Sequence, residues 1–589
     1  MFDKTGLTPQ ELLTASGQLA IHDCLALRAR LHPHKVLFTL LDDDGEEQQR
    51  LTYGELFGRV GAIARQLREH SAPGDRIALF FPQGLEFIAS FLACLDSGRI
   101  AVPVNLPNRR RVERCLSILE DSGSRLLLVA DSEREALGQA FAGSFAAQLP
   151  MLAPTPASAA DMPWVRPDDS DPQRIAFLQY TSGSTSAPKG VMVSHGNISA
   201  NLRMMRDAWA LDQDCDFVTW QPHHHDMGLI LGQLLPIMLG NHTVIMAPST
   251  FVRQPLLWLQ AIARYKARLA GGPNFAYNLA VERYDAQRLA GLDLSHWTHA
   301  LNGADVVRSV SLTRFAECYG AHGFAASSFL PCYGLAEATL FVAGGPHGQP
   351  VRTLLADAGV LAAEHRLALP SGAEQVQELV GCGEPSWEVR IATVDPTSLQ
   401  RCAPGRIGEI WLRGPAIAQG YWRNDEATAT AFHARIADDP GHTWLRTGDL
   451  GFVEEQDRQL YVCGRLKDLI ICEGRNLHPE DIEHRVLEAL REVRAQSCAV
   501  FSHDNEQQRQ LIVAAIELNR ELKRWLQDDP RQLKALVRGA VADSHGITLN
   551  RIVFVLPTSI HKTTSGKIQR GRMRQLYLSG ELELVDGAE

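Results

Sequence analysis

The densest concentration of potential chemistry lies in one loop, Tyr180-Thr181-Ser182-Gly183-Ser184-Thr185-Ser186-Ala187-Pro188-Lys189-Gly190. Its hydroxyls, glycines and single lysine offer a polyphosphate many donors plus a point charge. A Walker loop requires Gly-x4-Gly-Lys-Ser/Thr opening a helix. Here Lys189 is followed by Gly190 and the alternating run VMVSH, so the loop joins strand to strand and Walker chemistry is excluded.

Other segments carry reactive types at the ends of apolar runs. Asn302-Gly303-Ala304-Asp305 follows one such run, and Pro331-Cys332-Tyr333-Gly334-Leu335-Ala336-Glu337-Ala338-Thr339 follows another. Thr447-Gly448-Asp449-Leu450-Gly451 reads as a turn between strands, where Asp449 can accept two ribose hydroxyls. Gly464-Arg465-Leu466-Lys467-Asp468 and the loop Thr563-Thr564-Ser565-Gly566-Lys567-Ile568 complete the set. Each alone is ordinary: a core tyrosine, a surface acid, turn chemistry, a solvated lysine. The run His223-His224-His225-Asp226 invites a metal reading. In an extended segment, however, adjacent side chains point to opposite faces and cannot share one ion.

Together, and in this order, the segments resemble the acyl-adenylate-forming superfamily of acyl-CoA synthetases, luciferases, peptide-synthetase adenylation domains and fatty acyl-AMP ligases. The resemblance covers nearly the whole chain. It implies ATP and Mg²⁺ as cofactors. Nucleotide contacts would come from Thr181, Ser182, Gly183, Ser184, Thr185 and Lys189, from the turn Asn302, Gly303, Ala304 and Asp305, and from Gly334, Asp449 and Arg465. It places Tyr333 over adenine, Glu337 with Thr181 at the metal, and Asp468 at a hinge. HHHDMGLI resembles the histidine-aspartate motif of the acyl pocket, with His225 beside the substrate carboxylate, and Gly272-Pro273-Asn274-Phe275 resembles another wall. Lys567 occupies the catalytic lysine position. A cation there would lower the barrier when a carboxylate meets the α-phosphate.

Positioning these residues falls to an α/β framework. At 589 residues the chain exceeds the size of a single core. The runs RIALFF, GLEFIASFLACLDSG, IAVPVN, RVERCLSILEDSG and SRLLLVAD alternate strand-like and helix-like, as βαβ units do. From Arg406 strands dominate in antiparallel fashion, and the last portion alternates again as a small α+β unit. The expected architecture is a large N-terminal domain, 1–465, of βαβ-type sheets with a small antiparallel β subdomain. A smaller, mobile α+β lid, 466–589, follows it and carries Lys567. The Pro, Ala, Ser and Asp-rich stretch from Leu149 to Gln173 reads as a surface loop.

Composition narrows the partners. The net charge of −10 without a long basic run argues against nucleic acid. The start MFDKTGLTPQELL shows no secretory signal, and Leu229 to Leu239 is too short and broken to span a bilayer, so a cytosolic protein is expected. Eleven scattered cysteines without a CxxC pair fit reduced thiols.

Within the superfamily, YGLAEATL, CEGRNLHPEDIE and an extended stretch between Glu337 and Gly381 resemble fatty acyl-AMP ligases. The extra segment, roughly 351–379, carries a helix-like TLLADAGVLAAEH and a strand-like RLAL. In that branch an insertion here is associated with blocking free coenzyme A, so that the acyl group passes to the phosphopantetheine thiol of an acyl carrier protein. The expected reaction is fatty acid plus ATP giving acyl-adenylate and pyrophosphate. An acyl-CoA synthetase and a non-catalytic nucleotide or lipid sensor are the rivals. Ala336 replaces the threonine many superfamily members carry, which removes one phosphate contact.

Overall fold

A computed structural model describes residues 14, 17–107, 112–154, 171–181, 188–370, 376–472, 475–495, 497–504, 510–563 and 567–585. Two large sheets form most of the N-terminal domain. The six-stranded sheet runs in the order Met151–Leu152, Leu126–Val129, Arg76–Phe80, Ile100–Val104, Ile175–Thr181, Lys189–Ser194. It is parallel except for the last pair, which is antiparallel. The nine-stranded sheet has a parallel centre, from Phe329–Gly334 through His299–Asn302, Leu269–Gly272, Phe217–Thr219 and Thr243–Ile245 to Val36–Leu41. Antiparallel strands close both of its edges.

The helix Leu85–Asp96 is apolar nearly all round, and every residue but Glu86 is buried, as expected of a helix enclosed by protein. Phe91 meets Phe177 of the six-stranded sheet edge-on at 5.5 Å, while Phe87 stacks on His223 at 3.9 Å. This helix thereby links one sheet to the histidine segment that follows Phe217–Thr219.

A five-stranded antiparallel sheet follows, built from Arg390–Val394, Gly408–Arg413, Ala434–Ile436, Asp439–Val453 and Leu460–Arg465. The smaller C-terminal domain has its own core, in which Ile482 and Val486 pack with Val500, Ala514 and Phe554. There Cys498–Asp504 and Gln510–Glu517 pair antiparallel, and Arg551–Val555 adds in parallel. The helices Pro479–Ala489, Arg520–Asp528, Pro530–His545 and Arg570–Ser579 complete it.

Several expectations change. TLLAD is a strand, Thr353–Asp357, because Val376–Val380 pairs with it along its length. The helix is only Ala358–Glu364, starting where Asp357 accepts from the Gly359 and Val360 N–H groups. RLAL forms no strand; Arg366 alone makes an isolated bridge, to Arg406. Thr447 to Gly451 is not a turn but lies inside the long strand Asp439–Val453. The helix Arg520–Asp528 went unread because its polar face dominates the local composition. The expected loop from Leu149 begins with the short strand Met151–Leu152, and 155–170 lies outside the described residues. Among the described residues no helix is long and apolar enough to cross a membrane. The cysteines are free thiols, and burial pushes Cys24 and Cys332 up to about 12.

Candidate active site

The carboxyl ends of the parallel strands of the nine-stranded sheet gather the motifs, as in open α/β sheets generally. Gly272, Asn302 and Gly334 each end a strand. Asn302 is fully buried and donates to Asn274 at 3.1 Å. The next residues turn sharply: Ala304 takes φ +69°, and the Asp305 carboxylate accepts from the Val306 N–H at 2.9 Å.

Tyr333 lies on the last parallel strand, and its hydroxyl donates to Asp449 Oδ2 at 2.7 Å. The other oxygen, Oδ1, meets Arg465 Nε at 3.1 Å. Strand register sets this pair, since Asp449 and Arg465 are direct partners across Asp439–Val453 and Leu460–Arg465. Gly448 has φ +70° within a register shift against Gly408–Arg413, a bulge that locally re-aims the chain. Burial, then the Asp449 charge, pushes the Tyr333 hydroxyl well above its ordinary range. Arg465 is raised, chiefly by Asp449. The Asp449 carboxylate still has free lone pairs with which to accept ribose hydroxyls.

Glu337 sits in the tight turn Ala336–Ala338. Its Oε1 accepts from the Tyr421 hydroxyl at 2.9 Å, and the Tyr421 ring lies 4.9 Å from Lys189 Nζ. Backbone pairing explains the convergence. Met192 N–H donates to Gly420 O at 2.9 Å and Trp422 N–H to Gly190 O at 2.7 Å, so residues 419–422 lie alongside Lys189–Ser194. The Ala418 N–H, donating to Glu337 O at 2.9 Å, ties the same segment to the turn. A carboxylate of this kind is chemically suited to Mg²⁺, which typically takes one or two carboxylates plus substrate phosphates. Ser182, Gly183, Ser184 and Thr185 lie outside the described residues, as does the side chain of Thr181, whose backbone ends the strand Ile175–Thr181.

The histidine segment is a turn, not an extended run, and its side chains diverge. His223 Nδ1 pairs with Gln83 at 2.8 Å, and burial lowers its pKa to about 3. His224 O accepts from Gln179 at 2.8 Å. His225 Nδ1 meets Asp226 Oδ1 at 2.6 Å. The chain then enters a π-type helix, Met227–Leu234, a form frequent at functional sites. Gly228 is required there, since a Cβ would collide with the Pro222 carbonyl. Trp220, stacked on Phe251 at 4.0 Å, and Phe275 form an aromatic wall nearby.

Lys567 reaches this assembly from the small domain. Its hairpin is closed by Thr563 N–H donating to Lys567 O at 2.7 Å and by Lys567 N–H donating to Thr563 Oγ1 at 3.0 Å. Lost hydration, then the Arg465 charge, lowers the ammonium's pKa, while Asp305, Asp449 and Asp226 oppose the shift. Burial would raise Asp226, but His225, the Met227 N–H and Lys567 outweigh it and hold the carboxyl below its ordinary value. One lysine thus shares its surroundings with residues from four separate motifs.

Across the domain boundary, Arg308 meets Asp481 at 2.6 Å, and Gln377 of the strand Val376–Val380 donates to the other Asp481 oxygen at 3.0 Å. Ala362, on the helix Ala358–Glu364, packs against the small-domain core. The structure therefore brings Tyr333, Asp449 and Arg465 together, Glu337 with Lys189, and Lys567 with Asp226, Asp305, Asp449 and Arg465. Asp468 pairs with Arg570 at 3.2 Å and is among the charges that raise Arg465. Sequence reasoning missed Tyr421, Asp226 as a partner of Lys567, and Arg308. Tyr421 carries no local signal, because its role arises only from strand pairing.

Residues 25–422 match the AMP-binding enzyme family, and 467–586 match the Disco-interacting protein 2-like AMP domain. The chain is 36% identical to the medium-chain-fatty-acid–[acyl-carrier-protein] ligase JamA of Moorena producens (strain JHB), covering 95% of each chain. It is 34% identical to the long-chain-fatty-acid–AMP ligase FadD28 of Mycobacterium tuberculosis (strain CDC 1551 / Oshkosh), covering 95% of this chain and 98% of that one. A solved fatty acyl-adenylate ligase from L. pneumophila, in complex with acyl adenylate and pyrophosphate, superposes with a TM-score of 0.73 at 35% identity, covering 97% and 98%. The chain belongs to the AMP-binding enzymes and, among them, to the fatty acyl-AMP ligases. It is an ATP-dependent ligase that forms acyl-adenylate.

Proposed function

We propose that the chain activates a free fatty acid and hands the acyl group to the phosphopantetheine thiol of an acyl carrier protein. A fatty carboxylate oxygen attacks the α-phosphorus of ATP, the bond to the β-phosphate oxygen breaks, and pyrophosphate leaves. The thiol then attacks the carbonyl carbon of the mixed anhydride and AMP departs. Tyr333 holds the adenine face, Asp449 and Arg465 the ribose, and Lys189 with the loop from Thr181 the phosphates. His225, fixed by Asp226, stands by the substrate carboxylate. Lys567 faces the charge that develops at phosphorus, and such preorganised charge is a large part of phosphoryl-type catalysis. Glu337, with Thr181, would hold Mg²⁺, which would neutralise phosphate charge.

The observation that carries this reading is the convergence of the Tyr333 hydroxyl and Arg465 on Asp449, with Glu337 held by Tyr421 beside Lys189. Support for a carrier-bound acceptor comes from the relative described as an acyl-carrier-protein ligase and from the insert's grip on the small domain. To test it, the protein is incubated with ATP, Mg²⁺ and a fatty acid panel, then with coenzyme A or a holo carrier protein. Acyl-AMP by mass spectrometry and acylation of the carrier alone are expected. Lys567→Ala should lower adenylation about a hundredfold or more. Undiminished turnover in that variant, or acyl-CoA as the main product, would refute the corresponding part.

A further inference from the structure

Arg570 stands three residues beyond Lys567 and opens the helix Arg570–Ser579. Its guanidinium is only 11% exposed and faces three carboxylates. Nε and Nη2 donate to the two Glu483 oxygens at 2.8 and 2.6 Å, and Nη1 donates to Glu480 at 2.7 Å and to Asp468 at 3.2 Å. Glu483 is fixed further by the Val500 N–H, which donates at 2.9 Å.

Two of these partners belong to the helix Pro479–Ala489, inside the small domain's body. The third, Asp468, belongs to the short turn Leu466–Asp468, which follows the last strand of the large domain's antiparallel sheet. A bidentate pair with Glu483 alone would already satisfy much of a buried guanidinium. The additional carboxylates leave an excess of negative charge around one cation. Burial, opposed by Arg570, raises Glu483 to about 7. Glu480 and Glu483 hold the guanidinium within the small domain's body, and the bond to Asp468 is the one that reaches the segment following the last strand of the antiparallel sheet. On its other side Arg570 continues directly into the Lys567 hairpin, where Gln569 N–H donates to His561 O at 2.9 Å and Lys562 bridges Ile568.

We propose that Arg570 is a positioning residue for adenylate formation: by gripping Asp468 it fixes the angle at which the small domain carries Lys567 into the site. This rests on the function proposed above and deepens it. Arg570 moves with the small domain while Asp468 directly follows the last strand of the antiparallel sheet, and the bond is formed in the arrangement seen here, in which Arg308 and Asp481 also join the two domains. Its loss leaves Arg570 held by Glu480 and Glu483, and the small domain folded.

The test uses full-length Asp468→Asn, Arg570→Lys and the double variant, with ATP–pyrophosphate exchange driven by dodecanoate and Mg²⁺. A misplaced catalytic group can cost up to about a hundredfold. Each single variant should lose roughly tenfold or more in kcat, with the KM for ATP held within about twofold. The double should be no slower than Arg570→Lys alone, because that change already removes the bond to Asp468. Arg570→Lys keeps a cation for Glu483 and guards against simple misfolding. Small-angle scattering reads the domain angle without turnover, and both single variants should give a broader particle than the wild type. Unchanged kcat and scattering in Asp468→Asn, or losses that multiply in the double, would overturn the proposal. If the wild type shows no exchange with any fatty acid, the proposed function fails instead, and scattering still decides the linkage.

Discussion

Tyr333 and Asp449 stand 116 residues apart in the chain, yet the Tyr333 hydroxyl donates to Asp449 Oδ2 at 2.7 Å. The bond joins the last parallel strand of the nine-stranded sheet to the antiparallel sheet. It also orients the carboxylate that Arg465 grips from the other side.

Tyr333→Phe keeps the ring and deletes this bond. Hydrogen bonds to charged groups are worth about 1.5–3 kcal/mol. With Arg465 still in place, the KM for ATP should rise roughly tenfold, with a smaller change in kcat. Steady-state kinetics across ATP concentrations measures it.

Tyr421 tethers Glu337 and seats Lys189 on its ring face. Tyr421→Phe should raise the Mg²⁺ concentration needed for half-maximal activity several-fold, because Glu337 loses its orienting donor. Tyr421→Leu should also weaken nucleotide binding, measured by calorimetry without metal, because Lys189 loses a contact worth about 0.5–2 kcal/mol.

Glu483 has a folded pKa of about 7, raised above its ordinary 4.5 by burial. The folded state therefore binds this proton more tightly than the unfolded chain does. The stability it contributes is full below the unfolded value and is lost as the pH rises through about 7. Melting temperature of the small-domain transition should fall between pH 5 and pH 8, on the order of a few degrees. Glu483→Gln should flatten that slope.

Arg308 and Asp481 tie the two domains at 2.6 Å, each less than a quarter exposed. Burial would raise Asp481, yet Arg308, foremost among the opposing charges, holds its carboxyl below the ordinary value. Arg308→Met should destabilise docking by about 2–3 kcal/mol, whereas Arg308→Met with Asp481→Asn should recover part of it. Chemical denaturation that resolves the two domains reads both.

Much of this was legible in the sequence. Strand-length apolar runs such as RIALFF and IAVPVN, separated by the helix-like GLEFIASFLACLDSG, announce the parallel sheet because period and length agree. The motif residues Tyr333, Asp449, Arg465 and Lys567 could be named from their segments. What stayed hidden was set by pairing at a distance. TLLAD looked helical until Val376–Val380 lay beside it. Thr447 to Gly451 looked like a turn because Gly448 and Asp449 are turn residues, whereas here they form a bulge in a long strand. Tyr421 and Arg308 act only through partners far along the chain, and no local pattern reports such contacts.

The bulge at Gly448 bears on any redesign of this scaffold. Alternation along a strand means that removing or adding one residue between Asp439 and Asp449 would send the carboxylate to the opposite side of the sheet, away from Tyr333. Outward-facing positions of that strand are open to exchange, but its phase is not, so grafts that shorten it would arrive folded and blind to nucleotide.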